Sequence, residues 1–115
     1  MAVTAWALGI VRVDLAGAQA HGYVAEVRRW ALEHDFMLRD IEQVWSEASF
    51  PLLIATLSCS DIGAVVVPEL AHLTGWADAV RCEAELWALH PLHRWPRLPI
   101  QPRAPRTPSC TKAKG

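Results

Sequence analysis

Hydrophobic and polar positions alternate in blocks along this chain of 115 residues. Ala5 to Val13 is a nearly continuous apolar run that ends in β-branched residues and stops at Asp14-Leu15-Ala16-Gly17. A short, unbroken apolar run bounded by a turn signal predicts a strand buried on both faces. Ala20, Val24, Val27, Ala31 and His34 then recur at helical spacing, with Glu26, Arg28, Arg29 and Glu33 between them. This predicts an amphipathic helix from about Ala18 to His34, with Gly22 as its weak point. Phe36, Leu38 and Ile41 to Trp45 predict a second strand with a polar exit at Ser46-Glu47. Pro51 suits the first turn of a short helix running to Leu57. Ile62 to Val67 predicts a third strand, ended by Pro68, and Glu69 to Thr74 predicts a single helical turn. Trp76, Ala79, Val80, Leu86 and Trp87 predict a last helix, which Pro91 terminates.

The order β-α-β-α-β-α predicts a small three-layer α/β domain: a parallel sheet with helices on both faces and right-handed crossovers. In such sheets ligands sit beyond the carboxyl ends of the strands. Those ends are Asp14 to Gly17, Trp45 to Ser49, and Pro68 to Gly75, and any site is expected there.

Charge divides the chain in two. Residues 1–90 carry twelve acids against five arginines, a net of −7, whereas residues 91–115 carry six basic residues and no acid. Pro91, Pro96, Pro99, Pro102, Pro105 and Pro108 punctuate that basic segment. Proline at nearly every third position favours extended, polyproline-like chain over helix. The expected division is a domain over 1–92 and a basic, proline-rich, disordered tail over 93–115. Cys59, Cys82 and Cys110 are odd in number and lack CxxC spacing, which argues against a disulfide framework and for a reducing, cytoplasmic setting. Ala18-Gln19-Ala20 looks like a signal-cleavage site, but no Lys or Arg precedes the apolar run and Arg12 and Asp14 interrupt it. No apolar run approaches the ~20 residues of a membrane span.

Gly9-Ile10-Val11-Arg12-Val13-Asp14 resembles the opening of the serine recombinase (resolvase/invertase) catalytic domain, whose first strand reads Tyr-x-Arg-Val-Ser. In that family the serine attacks DNA phosphate and the arginine two positions earlier helps hold it. Arg12 and Val13 match, and Asp14 stands where the serine belongs. A second family motif reads roughly Val-Val-x-x-Leu-Asp-Arg-Leu-x-Arg. It aligns with Val66-Val67-Pro68-Glu69-Leu70-Ala71-His72-Leu73-Thr74-Gly75. Leu70 and Leu73 are kept, whereas Ala71, His72 and Gly75 replace the aspartate and both arginines. Phe50-Pro51-Leu52-Leu53 is similar to the family's short helix before its third strand. The resemblance spans roughly residues 5–90 and implies a recombinase-like scaffold whose catalytic positions Arg12, Asp14, Ala71, His72 and Gly75 are degenerate.

Those departures have a chemical meaning. Phosphoryl transfer through serine needs a hydroxyl nucleophile and guanidiniums that stabilise charge on phosphate oxygens. Asp14 brings a carboxylate to the phosphate's place, and an Arg12–Asp14 ion pair at the strand end is expected. Haloacid-type phosphatase chemistry would need a second aspartate where Ala16 stands. Receiver, Schiff-base and P-loop chemistry all need a lysine, and none precedes Lys112. Gly17 and Gly22 do not form the GxGxxG of a dinucleotide site. Glu69 and His72 make a single Glu-x-x-His where diiron bundles need two, and His90 and His93 lack further ligands for a metal. No cofactor or metal is expected. Of six tryptophans, most read as core, with Trp95 as an exposed exception.

The expected function is a non-catalytic interaction or regulatory module with a protein partner and no membrane contact. The alternative is a nucleic-acid-associated protein acting through Arg94, Trp95, Arg97, Arg103 and Arg106, because cations beside a stacking ring suit single strands. A third class, an enzyme with Asp14 or Glu69 as base, lacks a converging partner group.

Overall fold

The structure, a computed structural model, describes residues 5–99. Strand β1 (Ala5–Arg12) is the second strand from one edge of a five-stranded sheet. It leads into a single helical turn, α1 (Val13–Ala16), and then into helix α2 (Ala20–Glu33). Strand β2 (Phe36–Val44) returns parallel to β1 on the outer edge. Helix α3 (Phe50–Ser58) begins with proline in its first turn, as expected. Strand β3 (Ile62–Val67) pairs parallel with the other side of β1. A 3₁₀ turn over Leu70–Leu73 and the short helix α4 (Ala77–Arg81) carry the chain to β4 (Glu85–Leu89), parallel to β3.

The period-two alternation of β1 explains the layering. Ala7, Gly9 and Val11 face α2, whereas Leu8 and Ile10 face α3 and α4. Small residues under α2 let the helix come close. A methyl group on Gly9 would stand 2.8 Å from Val27 Cγ1, closer than carbon atoms tolerate, and in tight contact at 3.2 Å with Ile41 Cγ1. Val27, Trp30 and Ala31 of α2 close one layer against Ala7, Ala64 and Val66. The larger side chains fill the opposite layer, where Leu8, Ile10, Val65, Val67 and Leu86 pack with Phe50, Leu57, Leu73 and Val80.

Three expectations are corrected. The predicted last helix is two elements. Residues 85–89 alternate, with Leu86 and Ala88 buried in the α3 layer and Trp87 and Leu89 packed toward α2. That period suits a strand, and the open edge of β3 offers its backbone a partner. Pro91 therefore stands in a turn between strands and does not stop a helix. The chain then forms β5 (Leu92–Trp95), antiparallel to β4, so the sheet is mixed and not wholly parallel. Residues 92–95 consequently belong to the sheet, and the body extends beyond residue 92, with Leu98 N–H donating to the Arg81 carbonyl at 2.8 Å. Between β1 and α2, Asp14 to Ala16 fall in the helical turn α1, which Gly17 ends at φ +56°. The predicted disordered tail from residue 100 on lies outside the described residues.

Among the described residues no helix is long and apolar enough to cross a membrane, and Cys59 and Cys82 are free and exposed.

Candidate functional site

The carboxyl ends of β1 and β3 bring Arg12, Asp14 and His72 together. Arg12 is the last residue of β1, and its side chain turns back over the strand end with only 8% of its surface exposed. Asp14 stands in the first turn of α1, two residues on. The guanidinium grips its carboxylate with both prongs, Nε to Oδ1 at 2.8 Å and Nη2 to Oδ2 at 2.6 Å. This bidentate geometry is the one an arginine offers a phosphate. The hydrogen bonds from Arg12 hold the Asp14 carboxyl below its usual range, and the same bonds push the guanidinium's pKa upward. The Phe50 ring lies 5.7 Å from the guanidinium carbon and forms part of its wall.

His72 arrives from the turn after β3 and is 3% exposed. Its Nδ1 accepts the backbone N–H of Arg12 at 2.9 Å. That bond requires a lone pair on Nδ1, so the ring is neutral with its proton on Nε2. Burial is the largest influence holding the His72 pKa below its normal value. The Arg12 charge adds to it, while Glu69 and Asp14 oppose it.

The third participant comes from α2. The Tyr23 hydroxyl donates to Glu69 Oε2 at 2.8 Å, and the Gln19 amide lies 3.0 Å away. The Tyr23 ring meets His72 edge-on at 5.7 Å between centroids. The Glu69 carboxylate raises the phenol's pKa. At neutral pH these directions favour an anionic Asp14, a protonated Tyr23 and a neutral His72. His90, beyond β4, pairs through Nε2 with Glu26 and lies 6.0 Å from the Tyr23 ring.

Ala71 and Gly75, also singled out by the recombinase resemblance, bring no polar side chain to this cluster. Ala71 and Gly75 are exposed in the turn, and Gly75 supplies a backbone at φ +83°. His90 and His93 diverge, since His93 lies 4.3 Å from the Trp95 ring. Among the described residues no group of three or more His, Cys, Asp or Glu could hold a metal. Tyr23 and Glu26 escaped the sequence reading because their roles depend on α2 crossing above the end of β3. The one available signal was that Tyr23 lies a helical turn before Val27 on the buried face.

Of the residues expected to meet nucleic acid, Arg94 and Trp95 lie on the edge strand β5 and Arg97 just beyond it. Arg94 donates from Nε and Nη2 to Glu85 Oε1 at 3.0 and 2.7 Å. The Trp95 ring is half-buried against the α3 layer, contrary to the expectation that it is exposed; its place opposite the buried Leu86 of β4 turns it inward. Trp45, one residue past β2, is the exposed tryptophan at 71%. Arg97 Nε reaches the Cys82 carbonyl at 3.4 Å. Arg103 and Arg106 lie outside the described residues.

No family model, curated protein or solved structure matches the chain.

Proposed function

We propose that this domain is a non-catalytic interaction or regulatory module on a serine-recombinase-like scaffold, unable to cleave DNA. The observation that carries the reading is the closed fork of Arg12. The guanidinium that would bind phosphate is buried and held through Nε and Nη2 by Asp14 of its own chain. An incoming phosphate would have to displace a bidentate carboxylate two residues away, and that carboxylate would repel it. His72, in the place of an arginine, is neutral and spends its Nδ1 on holding the end of β1. The scaffold part of the reading is supported by Arg12 at the end of the first strand, by Leu70 and Leu73 in the turn after the third, and by a short helix opening at Phe50.

A protein partner accords with what the carboxyl ends present instead. Leu15 after β1, Trp45 after β2 and Leu70 after β3 are all exposed large hydrophobic residues. Such residues gathered beside one end of a sheet mark contact surfaces more often than chemistry.

Incubation with supercoiled plasmid tests the reading. The expected outcome is plasmid that stays supercoiled and protein that carries no covalently attached DNA. Nicking or covalent attachment that disappears in Arg12→Gln would overturn it.

A further inference from the structure

On the α3 side of the sheet, a groove of 390 Å³ runs between the edge strand β2 and α3. Its floor is apolar and is made by Leu8, Val44 and Ile62. Leu52, in the first turn of α3, stands on one wall and is 76% exposed. Trp45 follows Val44 out of the groove and is 71% exposed. These two large side chains carry the apolar floor onto open surface, which is the mark of a contact surface.

The opposite wall is acidic. Asp40 and Glu42 stand beside Leu8 and Ile10 of β1. Neighbours in register share a face of the sheet, so both carboxylates project to the α3 side. Asp40 accepts the N–H of Ile41 at 2.8 Å, and Glu42 is half-buried. Among the described residues, neither carboxylate has a cationic partner. Arg39 also lines the groove but is committed elsewhere. Its Nη2 donates to Asp61 Oδ1 at 2.8 Å, and its guanidinium lies 4.4 Å from the centre of the Trp6 ring.

We propose that this groove is the docking site for an amphipathic helix of a partner protein, with apolar side chains on the floor and lysine or arginine toward β2. The inference deepens the interaction-module reading and rests on it. Charge complementarity sets the sign, because the wall offers two carboxylates and no free cation. Spacing sets the form. Residues two apart on a strand lie about 7 Å from one another. Residues four apart on a helix are separated by about 6 Å along its axis. Cations one helical turn apart therefore meet both carboxylates. From Asp40 to Val44 the strand rises about 13 Å, which matches about nine residues of helix. An added strand fits less well. The pairing of β2 with β1 skips Arg39 in a bulge, and the Asp40 carboxylate occupies the Ile41 N–H. Bulges and charged side chains on an edge strand oppose further pairing.

The test uses the full chain and, as probe, a synthetic helix-forming peptide with leucines along one face and two lysines one turn apart on its flank. One control peptide carries glutamates in place of the lysines. Another keeps the composition and scrambles the order. The protein variants are Asp40→Asn combined with Glu42→Gln, and separately Leu52→Ser, with melting curves to show that each stays folded. The probe is expected to bind wild type with a Kd of roughly 10–100 µM. Both control peptides, and both variants with the probe, should bind about tenfold more weakly. The proposal is overturned if wild type does not bind the probe, or if the carboxylate variant binds it as tightly as wild type. A scrambled peptide that binds equally well overturns it too, since that would be general attraction to an acidic body. A wild-type dimer in size-exclusion chromatography that Leu52→Ser makes monomeric would assign the groove to a second copy instead. Failure of the peptide arms leaves the inability to cleave DNA standing, whereas Arg12-dependent nicking of plasmid sinks the module reading whatever the peptide does.

Discussion

His72→Leu is the sharpest perturbation of the strand-end arrangement. Leucine fills much of the imidazole's space but cannot accept the Arg12 N–H, which the ring holds at 2.9 Å in a buried setting. A buried amide left without a partner costs ~1–3 kcal/mol. In a domain of this size each kcal/mol is worth about 4–8 °C in Tm, so a fall of roughly 10 °C is expected near neutral pH. The pH dependence gives a second, independent readout. Burial keeps the folded-state pKa of His72 below its normal value of 6.5. The denatured chain therefore takes up this proton first as the pH drops. The stability linked to His72 is complete above about pH 6.5 and is lost as the pH falls toward the folded pKa, at a rate of at most ~1.4 kcal/mol per pH unit. Thermal melts followed by circular dichroism at about pH 7.5 and 5.5 measure both effects. Wild type should lose more Tm between the two conditions than His72→Leu. An unchanged Tm at neutral pH, or an equal acid sensitivity in the two proteins, would refute the assignment of Nδ1 as a buried acceptor.

Two further substitutions test the packing that carries the site. Gly9→Ala drives a methyl group into Val27 and Ile41, and overpacking of this kind costs ~1–3 kcal/mol, so chemical denaturation should show a lowered midpoint with an unchanged m value. Trp30 is buried with its Nε1 unpartnered. Trp30→Phe removes that donor, and should change stability by less than about 1 kcal/mol, whereas Trp30→Ala should cost ~3–5 kcal/mol by emptying the α2 layer.

The elements whose pattern is unmixed were legible in the sequence. Ile62–Val67 is buried on both faces and reads as a strand without ambiguity, and α2 reads from Val24, Val27 and Ala31 at helical spacing. Residues 85–89 did not read correctly, because Leu86 and Trp87 also fit the helical face begun by Ala79 and Val80. Only the free edge of β3 selects the strand, and no local sequence reports that edge. The same limit governed the site. The Arg12–Asp14 pair was foreseeable, since two residues at a strand end with opposite charge have few other partners. The bond from Arg12 to His72 spans sixty positions and is set by β3 lying beside β1. Tyr23 and Glu69 likewise meet only once α2 is laid across the sheet. Trp95 was misjudged because its neighbours Arg94 and Arg97 suggested solvent, while its pairing opposite Leu86 half-buries it.

Whether Asp14 closes Arg12 to phosphate can be read from a phosphate titration. Melting temperatures would be followed for wild type, Asp14→Ala and Arg12→Gln as inorganic phosphate is raised at constant ionic strength. A ligand that binds only the folded state stabilises it in proportion to RT ln(1 + [L]/Kd). Wild type and Arg12→Gln should respond alike, with no stabilisation traceable to the guanidinium. Asp14→Ala, with its fork open, should gain Tm as phosphate rises. Wild-type protein that is stabilised by phosphate while Arg12→Gln is not would contradict the central claim.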